Sequence, residues 1–184
     1  MPNISLTTVL AYFFGLCGLC CLVLSYQQTD RRKLLLGKLG SDIFWCVHYC
    51  LLAAWGGAIP NGLGAVRELV FRQRDKRKWA SSPVIPFLFV LASWAVAILS
   101  IILDESRRTL WTLLPIAAST AVTFSLWARK PKVTRIICLP VSVCFIVYDI
   151  VVGSWIGIVN ESIAIVSIIV SICRNDKQKK ENTQ

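Results

Sequence analysis

Five side chains that could do chemistry lie within otherwise apolar stretches of this sequence. Four of them form pairs 100 residues apart: Asn61 with Glu161, and His48 with Tyr148, beside which lies Asp149. A charged or polar group inside an apolar helix is costly unless it faces water or a partner. Histidine and carboxyl groups can also take up and release protons. We therefore interpret the five residues as candidate contacts for a polar solute. Uptake and release of protons by His48, Asp149 and Glu161 is a candidate means of coupling solute transport to protons.

Structural roles are the alternative for the same residues. Asn61 is placed to cap its helix, and Glu161 to lie near the outer membrane interface. His48, the single histidine, is equally suited to a hydrogen bond between packed helices. Asp149 has His48 and Arg135 as candidate partners. The sequence leaves both sets of roles open.

Two tryptophans share the same spacing. Trp55 and Trp155 stand at the start of the third helix of each half of the chain. Tryptophans at helix ends often form the aromatic belt at a membrane interface. We also consider this pair as aromatic residues at the mouth of a pore, suited to a sugar-like or ring-shaped solute.

Three further charged residues are expected to lie near the inner ends of their helices. Asp42 is expected to meet Arg31, Arg32 or Lys38. Arg67 is expected to extend toward the lipid headgroups along its own aliphatic stem. Its neighbour Glu68 is expected to point in a different direction, because adjacent helical residues project apart.

The elements that must position these residues are membrane helices. The chain has 184 residues, of which 55% are apolar and only 16% are charged. Uncharged runs long enough to cross about 30 Å of hydrocarbon recur along it. They are solid rather than alternating, which favours helices over a barrel. The sequence therefore predicts an all-α integral membrane protein.

Seven segments are predicted from these runs. They cover residues 4–25, 39–54, 56–71, 84–103, 109–128, 136–152 and 155–173. Eighteen of the 20 Lys and Arg residues fall in the tail, in the loops after segments one, three and five or, in the case of Arg67, near the inner end of segment three. The positive-inside rule then predicts a cytoplasmic C-terminus and an outside N-terminus in the cell membrane.

An internal repeat organises the seven segments. Seven identities occur at an offset of 100 among positions 39–74, including Gly57 with Gly157 and Arg74 with Arg174. A fourth helix between two three-helix units gives both units the same orientation, which is a parallel 3+1+3 repeat. The predicted boundaries are 1–79 for the first repeat, 80–106 for the linker helix, 107–173 for the second repeat and 174–184 for a disordered basic tail.

The chain resembles the YgjV-type bacterial inner membrane proteins. The resemblance rests on Asn61 and Arg67 after the Gly-rich turn, LLP at 113–115, Arg135, and YDIVVGSWIG with the following Glu161. It is also distantly similar to the SWEET and PQ-loop (MtN3) transporters. The similarity lies in the 3+1+3 plan, in the SYQQTDRRK turn with Gln27 and Gln28, and in Pro115.

These resemblances imply a function. A polar residue on the third helix of each SWEET unit contacts substrate, which corresponds to Asn61 and Glu161 here. Pro115 corresponds to a hinge proline, and Gly15 is its repeat partner. The resemblance implies a transporter of a small polar solute, working by rocking of the two repeats around a central cavity.

The residues give little support to other functional classes of protein. The net charge of +10 lies at segment ends, which argues against nucleic-acid binding. The eight cysteines fall in apolar segments, where cysteine is a small packing residue, so no metal site or cofactor is predicted. No nucleophile–base pair or phosphate loop is present, and an enzyme is not expected. The main alternative is a non-transporting accessory protein whose basic loops bind lipid or a partner. A homo-oligomer is compatible with either function.

Overall fold

The structure, a computed structural model, describes residues 6–53, 55–103, 113–152 and 155–181. These residues form seven α-helices and one short 3-10 helix, and no strand lies among them. The α-helices are α1 Leu6–Gln27, α2 Arg31–Leu51, α3 Trp55–Gln73, α4 Val84–Leu103, α5 Leu113–Trp127, α6 Pro131–Val152 and α7 Trp155–Glu181. The 3-10 helix, Trp79–Ser81, precedes α4. The prediction of an all-α protein is confirmed.

Several helix ends differ from the predicted ones. α2 begins at Arg31 rather than at 39, because Asp30 caps it by accepting a 2.9 Å hydrogen bond from the Arg32 backbone N–H. α6 begins at Pro131, a residue type suited to the first turn of a helix. Two basic segments predicted as loops are therefore largely first helical turns. α7 continues to Glu181 through most of the predicted tail, whose Lys, Gln and Glu residues favour helix.

Three of the helices are long and apolar enough to span a membrane by length and composition: 6–27, 131–151 and 155–174. The apolar parts of α4 and α5 that are described are shorter, at 84–99 and 116–127. Many large apolar side chains on the outside of the bundle are exposed, such as Leu91 and Val166. An apolar exterior of this kind suits lipid contact. α2 and α3 carry more charged residues and are therefore less apolar than these three helices.

Two buried apolar clusters hold the bundle together. The first joins α1 to α6 and α7, through Leu22, Tyr26, Cys138, Ala164 and Ile168. The second joins α5 to α2 and α3, through Leu34, Leu35, Phe71 and Leu126. Each cluster therefore packs the first helix of one half of the chain against the second and third helices of the other half.

Polar contacts between the halves recur at the offset of 100. Arg74 donates to the backbone carbonyl of Trp127, and Arg174 donates to that of Gln27 at 2.9 Å. Arg67 Nη1 donates to Thr123 Oγ1 at 3.0 Å. At the equivalent positions, Ser167 Oγ donates to the Val23 carbonyl at 3.2 Å. Equivalent backbone positions thus meet across the two halves.

Four arginines satisfy backbone carbonyls near the C-terminal ends of helices. Arg31 Nε donates to Ala128 O at 2.9 Å, just beyond α5, and its Nη2 donates to Phe71 O at 3.3 Å near the end of α3. Arg135 Nε donates to Tyr26 O at 2.8 Å, near the end of α1. Arg74 and Arg174 complete the set. Cations at these positions also interact favourably with the helix dipoles.

Close packing of α1 on α2 depends on Gly37. A Cβ placed there would lie 2.7 Å from Ser25 Cβ and 2.8 Å from Ser25 Cα, which are atoms of the neighbouring backbone and its first side-chain carbon. Such an overlap is not relieved by rotating a side chain. Gly37 therefore sets the distance between the two helices.

We expect Gly37→Ala to lower the unfolding temperature of the purified protein, because the overlap costs about 1–3 kcal/mol. This exceeds the ~1 kcal/mol that alanine gains over glycine in a helix. Gly62→Ala is the control, since a Cβ there meets only Cys46 Sγ at 3.7 Å, an ordinary contact. Equal unfolding temperatures for the two variants would contradict this account of the packing.

Candidate functional site

Four charged side chains meet inside the bundle between α2 and α3: Lys38, Asp42, Arg67 and Glu68, here called the charged cluster. Lys38 Nζ lies 3.7 Å from Asp42 Oδ1, one turn apart on α2. Arg67 Nη2 lies 3.9 Å from Asp42 Oδ2 and 2.9 Å from Glu68 Oε1. Glu68 is 0% exposed and Arg67 is 7% exposed. Charges this deeply buried persist only when they are paired.

Local sequence explains how Asp42 enters this space. Gly64 on α3 is buried and has no side chain, and a Cβ there would overlap the Asp42 carboxylate. Arg67 follows Gly64 by three residues, so both lie on the same face of α3. The glycine therefore admits the carboxylate, and the arginine meets it.

The charged cluster extends to α5 through Thr123. Thr123 Oγ1 accepts the hydrogen bond from Arg67 and donates to the Ser119 carbonyl at 2.9 Å. Thr123 is fully buried. Arg67 therefore links two halves of the chain by a charged hydrogen bond, which is stronger than a neutral one.

The expectations for these residues are partly corrected. Asp42 pairs with Lys38, one of its three expected partners. Arg67 does not extend to the headgroups but lies buried. It also contacts Glu68, although adjacent helical residues project apart, because the long arginine side chain folds back to its neighbour.

A second polar group lies on α6 and α7. Glu161 Oε1 accepts a 3.1 Å hydrogen bond from Asn160 Nδ2, and the Ser142 hydroxyl lies within hydrogen-bonding range of the same carboxylate. Lys38 of the charged cluster interacts electrostatically with Glu161. The ammonium group of Lys38 is thus paired with Asp42 and lies within electrostatic range of Glu161 in the other half of the chain.

A cavity of about 370 Å³ lies between α1, α2 and α7. Its walls are mostly apolar and include three of the predicted site residues, Gly15, His48 and Trp155, together with Asn160. His48 Nδ1 is 2.7 Å from the Ala11 carbonyl, so the ring also joins α1 to α2. A Cβ on Gly15 would lie 3.1 Å from His48 Nδ1. Gly15, predicted as a hinge, thus makes room for the histidine ring.

The other predicted residues occupy separate places. Asn61 Nδ2 donates to the Gly57 carbonyl of its own helix at 2.8 Å. Asp149 packs directly against Gly157 at the start of α7, where Tyr49 packs against Gly57 at the equivalent positions of the first half.

The predicted residues also include Tyr148, Trp55 and Pro115. Tyr148 is half-buried on α6. Trp55 begins α3 and Pro115 is the third residue of α5, but the side chains of both lie outside the described part of the structure. Of Asn61, His48, Tyr148, Asp149 and Glu161, all of which are described, His48 alone lines the cavity between α1, α2 and α7.

The described residues do not form a metal-binding site. No group of three or more His, Cys, Asp or Glu side chains within them is placed to hold a metal ion. The eight cysteines are unpaired and distributed over α1, α2, α6 and α7.

The sequence did not predict that the four residues of the charged cluster meet. One signal was present, because Lys38 and Asp42 have the i,i+4 spacing of a helical ion pair. The position of α2 relative to α3, which adds Arg67 and Glu68, is not visible in that spacing.

The chain matches a known protein family over most of its length. The model of a family described as a bacterial inner membrane protein, Imp-YgjV, matches residues 9–179. The chain belongs to this family. No curated protein and no solved structure matches it. The predicted family is therefore confirmed, and with it an inner-membrane location.

Removal of Arg67 tests the internal pairing. We expect Arg67→Ala to lower stability by about 3–5 kcal/mol, because it leaves buried carboxylates without their cation. The double variant Arg67→Ala/Glu68→Gln should recover part of that loss, since one uncompensated carboxylate is then removed. Thermal unfolding in detergent measures both.

Arg72→Ala is the matched control on the same helix, where the side chain is only half-buried. It should change stability by no more than about 0.5 kcal/mol. If the double variant is as unstable as Arg67→Ala or less stable, the pairing of Arg67 with Glu68 is not what stabilises this region.

Proposed function

We propose that this inner membrane protein transports a small polar solute across the membrane, along a path between the two halves of the chain. The observation that carries the proposal is the charged cluster. Ionisable side chains inside membrane helices are costly, and they commonly mark solute or ion pathways. Four such groups, one of them fully inaccessible, exceed what packing of apolar helices needs.

The path is proposed to run beside Lys38. This residue pairs with Asp42 on its own helix and lies within electrostatic range of Glu161 on α7, and these two carboxyl groups belong to different halves of the chain. The cavity between α1, α2 and α7 is also lined from both halves. Relative movement of the halves would therefore change the surroundings of both.

The underlying architecture is proposed to be two parallel three-helix repeats joined by α4. Seven helices would then span the membrane in a 3+1+3 order. The matched contacts of Arg74 with Trp127 and of Arg174 with Gln27 support a two-fold relation between the repeats. This is the plan of the SWEET and PQ-loop transporters, and the analogy is one of architecture alone. Pro115 and Gly15 remain predicted hinges.

The cavity favours a solute with an apolar face and polar edges. His48 and Asn160 supply polar atoms, while Trp45 and Trp155 supply aromatic surface. A sugar-like or ring-shaped molecule combines these properties, since aromatic rings pack on its face and polar groups bind its edge.

An accessory role is the second candidate. Lys76, Arg77 and Lys78 are exposed after α3, and the neighbouring Trp79 is 54% exposed. A basic segment with an exposed tryptophan suits the headgroups of anionic lipid. In that role the interior charges would serve packing alone.

A panel of sugars, amino acids, nucleosides and small acids tests the transport proposal. A solute that binds the folded protein stabilises it by about 2.7 kcal/mol at 100 times its Kd, which raises the unfolding temperature. We expect one solute class to do so in wild type but not in Lys38→Met/Glu161→Gln. The same solute should enter proteoliposomes containing wild type but not the variant.

The matched control is Lys33→Met/Asp75→Asn, which removes one charge of each sign at exposed positions. It should keep the response to the solute. A panel without any stabilising solute, together with unchanged binding to anionic vesicles after Lys38→Met/Glu161→Gln, would favour the accessory role instead.

Topology is tested separately with reporters inserted into the full chain. With the N-terminus outside and the C-terminus inside, green fluorescent protein inserted after Lys78 or Arg129 should fluoresce in the cytoplasm. Alkaline phosphatase inserted after Arg108 should be active outside the cytoplasm. Active phosphatase after Lys78 would contradict the proposed orientation.

A further inference from the structure

Glu68 has an oxygen atom that no hydrogen-bond donor reaches. Its Oε1 accepts from Arg67, whereas its Oε2 is buried and has no hydrogen-bond partner among the described residues. A buried carboxylate oxygen without a donor loses its hydration and gains no hydrogen bond in return, which disfavours the ionised form. The site therefore lacks a positive or donating partner at this atom.

The group that faces Glu68 is another carboxyl group. Asp42 lies beside Glu68 across the contact between α2 and α3, because one nitrogen of Arg67, Nη2, is 3.9 Å from Asp42 Oδ2 and 2.9 Å from Glu68 Oε1. Two carboxylates are both acceptors, so they cannot form a hydrogen bond until one of them carries a proton. Two neighbouring carboxyl groups that are shielded from water favour sharing a single proton.

The charges around the pair agree with one added proton. Lys38 and Arg67 supply two positive charges, while Asp42, Glu68 and Glu161 supply three negative ones when ionised. One proton brings the group to neutrality. Among the described residues, the other titratable side chains around Lys38 and Asp42 include Tyr26 of α1, Cys46 of α2 and Cys138 of α6, and α5 contributes the uncharged Thr123.

A metal cation fits the same place poorly. A hard cation needs about six oxygen ligands. The described residues around the pair supply two carboxyl groups, and two cationic side chains occupy the adjacent space. A proton needs only the two oxygens between which it lies.

We propose that Asp42 and Glu68 form a proton-binding site, in which the two carboxyl groups share one proton at neutral pH. A hydronium ion from the solvent supplies the proton and is left as water, and the proton forms an O–H bond to one carboxyl oxygen with a hydrogen bond to the other. Its release leaves two facing carboxylates that repel each other across the α2–α3 contact. Within the proposed transport function, on which this last step rests, proton release and uptake couple to movement of the solute.

Infrared spectroscopy of the full-length protein at pH 7 tests the site. Ordinary Asp and Glu side chains are ionised at this pH. We expect wild type to show the C=O stretch of one protonated carboxyl group per chain, with a downshift in D2O. Dodecyl maltoside is the detergent of choice, because it contains no carbonyl group. The band should be lost in Glu68→Gln and also in Asp42→Asn, since the amide then donates to the remaining carboxylate.

Asp75→Asn is the matched control, since Asp75 is an exposed carboxylate beside Arg31, and it should keep the band. Helix content and elution volume verify that each variant is folded. Absence of the band in wild type, or its persistence in both Glu68→Gln and Asp42→Asn, would overturn the proposal. A band present in choline chloride but abolished by sodium chloride would overturn it in favour of a sodium site.

The measurement needs no solute, so it is independent of the transport test. A missing band with a positive solute panel would remove the proton site and leave transport standing. The reverse result would leave a proton site in a protein with another function.

Discussion

Burial of the Glu68 carboxyl group is the constraint on which the interior of this protein depends. A carboxyl group without solvent access requires a cation or a proton to offset its charge, and Arg67 beside it supplies a cation. Arg67 in turn holds Thr123 of α5, and Asp42 of α2 lies against Gly64 to complete the arrangement. Three helices are thus fixed relative to one another by one buried ionic group. The apolar clusters on either side add strength but do not select this arrangement, because apolar packing tolerates rotation and exchange of side chains.

The ends of the helices obey a second electrostatic rule. Backbone carbonyls at the C-termini of α1, α3 and α5 need donors, and arginines from other helices provide them. Because all four arginines act at one end of the bundle, that end carries much of the positive charge. These basic residues therefore also join the helices.

Equivalent positions of the two halves share backbone placement more than chemistry. Gly57 faces Tyr49, whereas Gly157 faces Asp149. Arg67 meets Thr123 with a charged side chain, whereas Ser167 meets the Val23 backbone with a hydroxyl. The ionic groups are consequently unequal: the charged cluster belongs to the first half, and Glu161 with Asn160 belongs to the second.

The sequence alone determined the class of protein, the family and most of the helices. These follow from local properties: an apolar run such as 84–103 has the same meaning in any surroundings, and α4 has those bounds. It also determined the offset of 100 at which contacts recur. Only the tertiary structure decided which polar residues meet. Asn61 donates a hydrogen bond within its own helix, His48 contacts the Ala11 carbonyl, and Arg67 contacts its neighbour Glu68. Partners in a bundle depend on the rotation and spacing of neighbouring helices, which small residues such as Gly37 and Gly64 set at close range, and no local pattern of residues encodes them.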